Sequence, residues 1–121
     1  MSSYDIGKFL KDRRISLNLS LNQIAIYCGV SKSTVSRWES GFIDKIKRGH
    51  IYMLSQKLRI PVEIILGLET NQEIEPADIV LKREEITNNV NNIKNLEDLE
   101  NIITYINVFI NKKGDEKNGS K

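Results

Sequence analysis

Cysteine is nearly absent from this 121-residue chain: Cys28 stands alone. A single thiol excludes a disulfide within one chain and a Cys-rich zinc site. Beside the Gly29 turn, on an apolar stretch, Cys28 reads as a small buried hydrophobe. Histidine also occurs once, at His50, without Cys, His or clustered carboxylates at metal-ligand spacing, so no metal is expected. Proline appears only at 61 and 76, and β-branched runs with period two are rare. No run reaches the roughly 18 apolar residues of a membrane-spanning helix. The start, MSSYDIGKFL, lacks a basic stretch leading into an apolar segment, so no signal peptide is expected. No glycine-rich phosphate loop is present, and helix capping accounts for Ser31 and Ser33 better than nucleophilic chemistry does. The expectation is a cytoplasmic, non-enzymatic protein with no catalytic residue and no cofactor.

What is present is charge, unevenly spread. Residues 1–66 carry eleven Lys and Arg against five Asp and Glu, a balance of +6, whereas residues 67–121 carry seven against eleven, a balance of −4. Such asymmetry points to an N-terminal half that meets a polyanion. Apolar residues recur at helical spacing. Asp5 is expected to cap a first helix with Ile6, Phe9, Leu10 and Leu17 inward, broken at Asn18. Ser20 caps a second, where Gln23 completes a capping box, with Ile24, Ala25 and Cys28 inward, and Gly29 closes it. Ser31 opens a third. FIDKIKR reads as a basic loop. GHIYMLSQKLRI forms a fourth helix with Ile51, Leu54 and Leu58 inward, and PVEIILG a short fifth with Pro61 at its first position.

The stretch GVSKSTVSRWESG carries the functional signal. Two short helices joined by CGVS make a helix-turn-helix. Gly29 permits the tight reversal. Val35 and Trp38 form the buried stripe of the second helix, and Lys32, Ser33, Ser36 and Arg37 fall on a free stripe. The DNA major groove admits one helix, and an arginine can fork onto the O6 and N7 of a guanine. Lys32, Ser33, Thr34, Ser36 and Arg37 are therefore the candidate base contacts, to double-stranded DNA. Helix N-terminal amides attract phosphate, which adds Ser20; Lys45, Lys47, Arg48 and His50 complete the expected phosphate contacts.

Residues 6–67 resemble the lambda-repressor-like family, which includes phage repressors and the xenobiotic-response-element (XRE) regulators. The resemblance rests on IGKFLKDRRISLNLSLNQIA, CGVSKSTVSRWESG and LSQKLRIPVEIILG, and the family is among the well-described DNA-docking geometries. It implies an all-α, five-helix DNA-binding domain over residues 1–67. It also implies that Glu39 pairs with Arg14, fixing the recognition helix to the scaffold. Relatives often carry Gln at the start of the second helix, where this chain has Leu21. Many relatives add a self-cleaving peptidase domain; the chain past Gly67 is too short for one, so SOS-triggered autoproteolysis is not expected.

Residues 68–76 read as an acidic connector. Pro76 opens a sixth helix with Ile79, Ile86, Val90 and Ile93, and Asn95 opens a last one. Residues 77–111 form the expected oligomerisation segment, with residues 112–121 a disordered tail. Leu96, Leu99, Ile103, Ile106 and Ile110 are spaced 3, 4, 3 and 4, an a/d seam, and Ile102 and Phe109 widen it. A homodimer with the seam paired follows, reading an inverted-repeat operator. The expected function is a sequence-specific transcriptional regulator at the nucleoid, a repressor that occludes RNA polymerase, with an antirepressor protein as a further candidate partner. The alternative is an antitoxin whose C-terminal segment binds a toxin.

Overall fold

The structure, a computed structural model, describes residues 1–119, with side chains described through Lys112. Among the described residues every regular element is helical: α1 (Ser3–Ser16), α2 (Leu21–Cys28), α3 (Lys32–Glu39), one 3-10 turn (Ile43–Lys45), α4 (Arg48–Leu58), α5 (Val62–Ile65), α6 (Ala77–Asn91) and α7 (Leu96–Gly119). The fold is all-α. Two compact units divide the chain, Met1–Lys82 and Arg83 onward.

Local chemistry sets the helix ends. The cap of α1 is Ser2, not Asp5: Ser2 Oγ accepts from the Asp5 amide at 3.1 Å, and the Ser2 amide donates to the Asp5 carboxylate at 3.3 Å. Asp5 thus occupies the acidic third position of a capping box, where helix-end amides favour its charge. The hydrogen bonds from Ser2 hold its carboxyl below the usual pKa range. Asn18 ends the helix in the left-handed region at φ 58°, which its short polar side chain tolerates. Ser20 and Gln23 form the second capping box, with bonds of 3.1 and 2.7 Å. Gly29 then turns the chain at φ 72°. Ser31 caps α3 through the Thr34 amide at 3.1 Å. Pro61 stands at the cap position of α5 rather than inside its first turn.

The core draws on every helix of the first unit. Leu10, Ile24, Val35, Trp38, Leu54, Leu58 and Ile65 are all buried in one cluster. The segment FIDKIKR is more than a basic loop: Ile43 and Ile46, three residues apart, are buried in the same cluster and pin it down. Val80 belongs there too, at 2% exposure, with Ile74 and Ala77 packed alongside. The first compact unit therefore runs to Lys82. The cause is apolar: Ile74 in the irregular connector and Ala77 and Val80 in the first turn of α6 pack on the same core. Arg13 is buried as well. Its Nε donates to the Leu58 carbonyl at 2.9 Å and its Nη2 to Arg59 at 3.4 Å, closing the carbonyl end of α4 where a cation is favoured.

Gly7 lies in the middle of α1, a position where glycine ordinarily weakens a helix. Its backbone meets the end of α3. A Cβ there would stand 2.7 Å from the Glu39 carbonyl oxygen and 2.8 Å from the Gly41 amide and the Trp38 carbonyl oxygen. All three are backbone atoms and cannot swing aside.

In the second unit, none of residues 96–112 is buried. The helix α7 does not stop at 111 but continues to Gly119. Residues 112–119 of the tail segment fall within this helix, and residues 120–121 lie outside the described residues. No proline interrupts NKKGDEKNG, and extending an existing helix costs far less than starting one.

Two outcomes test this packing. Gly7→Ala should destabilise the first unit by about 1–3 kcal/mol, as overpacking does; urea unfolding matching wild type would contradict the close approach. A chain ending at Lys82 should melt clearly above one ending at Gly67, because the shorter chain loses Val80 from the core.

Candidate nucleic-acid interface

The surface of interest grows from the capping of α3. Ser31 fixes where the helix starts, and Val35 and Trp38 fix which side faces inward. The 3.6-residue period then leaves Lys32, Ser33, Ser36 and Arg37 outward, and all four are exposed. Thr34 stands apart from them. It is half-buried, and its hydroxyl is within 2.9 Å of Ser31 Oγ. Its place is the cap, at the edge of the stripe.

Orientation of α3 comes from its last residue. Glu39 takes two hydrogen bonds from Arg14, Nε to Oε2 at 2.7 Å and Nη2 to Oε1 at 3.0 Å. The remaining nitrogen, Nη1, donates to the Leu19 carbonyl at 2.9 Å. The side chains are only 9% and 8% exposed. This fork-on-fork geometry is the strong form of a charged pair. One guanidinium thus ties together α1, the turn into α2, and the end of α3. The resemblance named this pair; no spacing rule would have.

The helix-turn-helix family model matches residues 10–65, which span all of these elements. Over those residues the chain is similar to helix-turn-helix proteins. It is also similar to a Bacillus subtilis (strain 168) protein described as the uncharacterized HTH-type transcriptional regulator RghRB, at 30% identity over 73 residues. That match covers 60% of this chain and 52% of the relative, so the chain spans about half the relative's length. No solved structure gives a significant match.

Around the recognition helix of this domain the remaining candidates are unequal. Lys45, Lys47 and Arg48 are exposed, Lys45 at the end of the 3-10 turn and Lys47 and Arg48 where α4 begins. Asp44 is the one acid in the stretch 42–48. His50 is half-buried, with its ring 5.7 Å from that of Trp38 and tilted by 41°. The histidine therefore braces the back of α3 and has at most one edge for a phosphate. Ser20 is exposed, but its amide is taken by Gln23 and its Oγ accepts from the Gln23 amide. Only its hydroxyl proton remains to be offered outward. Leu21, where relatives often have Gln, is half-buried against the core. An apolar residue there strengthens packing in place of a polar reach.

Sequence reasoning overlooked Phe42. It is 55% exposed and lines a cleft with Thr34, Arg37, Trp38 and Lys45. The signal was an aromatic residue directly after Gly41, at the head of a segment read only for its charge. Cys28 is buried, and burial pushes its thiol pKa up, which makes it a poor nucleophile. Among the described residues no His, Cys, Asp and Glu cluster suits a metal ion, and no helix is long and apolar enough to cross a membrane.

The residues expected to pair two copies sit in the second unit. Leu96, Ile103, Ile106, Phe109 and Ile110 are exposed, and Leu99 and Ile102 are half-buried. They form one long face of α7.

Glu39→Ala should cost the domain about 3–5 kcal/mol, because it strands the Arg14 charge in a buried site. Thermal unfolding decides it, and an unshifted melting temperature would refute the clamp.

Proposed function

We propose that the protein is a transcriptional regulator that binds a specific DNA operator, acting as a repressor by blocking RNA polymerase. The observation that carries this is the exposed stripe Lys32, Ser33, Ser36 and Arg37, held outward by the buried Arg14–Glu39 pair. A helix so presented fits the major groove. Arg37 is the base reader, one turn into the helix, and Lys32 sits at the helix's amide end beside phosphate. Lys45, Lys47 and Arg48 grip the backbone, which sets register and salt dependence without reading sequence. Thr34 and His50 act from behind, through the cap and through Trp38. The similarity to the Bacillus subtilis HTH-type transcriptional regulator supports the regulatory reading.

One recognition helix reads few base pairs. Two copies related by a two-fold axis read half-sites about 34 Å apart, so the operator is an inverted repeat. The exposed apolar face of α7 supplies the means of pairing.

Footprinting on DNA flanking the protein's own gene tests the reading; protection of no discrete site would oppose it. With a site in hand, Arg37→Ala should weaken binding by about 1–3 kcal/mol and relax preference at one base position. Removing Lys45, Lys47 or Arg48 should instead weaken all DNA alike and flatten the salt dependence by about one unit per lost contact. A wild-type base profile in the first variant, or wild-type salt slopes in all three others, would remove those residues from the interface.

A further inference from the structure

The long helix α7 has a more specific pattern than a generic sticky face. In heptad terms Leu96, Ile103 and Ile110 occupy position a, Leu99 and Ile106 position d, and Ile102 and Phe109 position g. Most of the seam is open to water: Leu96 is 70% exposed and Ile103 58%, while Leu99 is half-buried. The flank opposite g holds Glu100 and Asn107 at position e. The start of the helix is acidic, with Glu97, Asp98 and Glu100, and farther along its sequence carries the lysine pair Lys112 and Lys113, followed by Asp115 and Glu116.

We propose that α7 pairs with α7 of a second copy in an antiparallel sense, with Leu99 opposite Ile110 and Ile103 opposite Ile106. This rests on the dimer put forward above and adds its geometry. Two independent features select the direction. The first is the flank. In a parallel pair, position g of one helix faces position e of the other; Ile102 would then meet Asn107, and Phe109 would meet residue 114, a glycine. In an antiparallel pair g faces g. Ile102 then meets Phe109 of the second copy, twice by symmetry, and the polar Glu100 and Asn107 meet on the other side. The apolar flank is buried and the polar flank stays wet.

The second feature is charge. A parallel pair brings three acids of each copy together at one end and the lysines together at the other, and like charges side by side are unfavourable. The antiparallel pair lays each acidic start along the Lys112–Lys113 pair of its neighbour and also opposes the two helix dipoles.

The two directions differ in a distance that can be read. In the antiparallel pair the two Leu96 residues stand about 25 Å apart along the helices. In a parallel pair they would be separated only by the interaxial distance of about 8–10 Å.

Disulfide trapping in the full chain tests this. Leu99→Cys and Ile110→Cys variants with different tags are mixed, exchanged and oxidised; the buried Cys28 stays out of the exchange. The mixed disulfide should dominate over both self-linked products. Self-linked products in place of the mixed one would overturn the antiparallel sense. So would a dimer by sedimentation in which no product forms, because the seam would then lie elsewhere. A monomeric wild-type chain by sedimentation would remove the dimer itself, whereas DNA binding is scored separately on unmodified protein. A spin label at Glu97→Cys, off the seam, gives a second reading in case the seam variants fail to fold. A separation of roughly 25 Å is expected, and one of about 10–15 Å would mean a parallel pair.

Discussion

Arg14 and Glu39 meet in a nearly dry place, with two short hydrogen bonds between them and a third from the guanidinium to the Leu19 carbonyl. Burying two charges is expensive, and their attraction repays that cost only when every polar atom is satisfied. Here the geometry satisfies it, and among the described residues no buried side-chain nitrogen or oxygen lacks a partner. The pair does more than hold two helices together. An ion pair that forks has one good orientation, so it sets the roll of α3 about its own axis. Roll decides which residues face outward, and a change of one residue in that face would swap Arg37 for Trp38. Gly7 serves the same end from the other side, letting the backbone of α1 come against Glu39 and Trp38 with no side chain between.

Given that orientation, the division of labour on the surface follows from charge and burial. In the proposed reading the exposed hydroxyls and cations of α3 meet base edges, and the exposed cations around the 3-10 turn and the start of α4 meet backbone phosphate. The segment carrying them is irregular, yet Ile43 and Ile46 anchor it in the core, so its lysines are presented from a fixed support. Phe42 adds an exposed apolar surface beside Arg37 and Lys45. Function in this domain therefore rests on scaffold residues as much as on those that would touch DNA.

Much of this was legible in the sequence because the signals are local. Ser20 with Gln23, Gly29 and Ser31 each declare a helix end within four residues, and period 3.6 places Val35 and Trp38 inward. What escaped needs partners distant in the chain. Gly7 looks like a flaw in α1 until the end of α3 is beside it. Arg13 looks like any surface cation until Leu58, forty-five residues on, offers its carbonyl. Val80 lies beyond an acidic connector that reads as a boundary, and only the packed core shows that the unit extends past it. Ser2 displaced Asp5 as the first cap because both residue types suit either role, and three-residue spacing alone does not say which comes first. Helix α7 runs on through a polar stretch because polar composition argues against burial, not against helix.

The central claim is that α3, held in this roll, reads sequence in double-stranded DNA. Selection of bound duplexes from a random pool addresses it most directly, using wild type and Arg37→Ala in parallel. The account predicts an enriched inverted repeat with a guanine at one position of each half-site, and loss of preference at that position alone in the variant. Retention of all duplexes in proportion to their abundance, with no enriched motif for the wild-type protein, would contradict it.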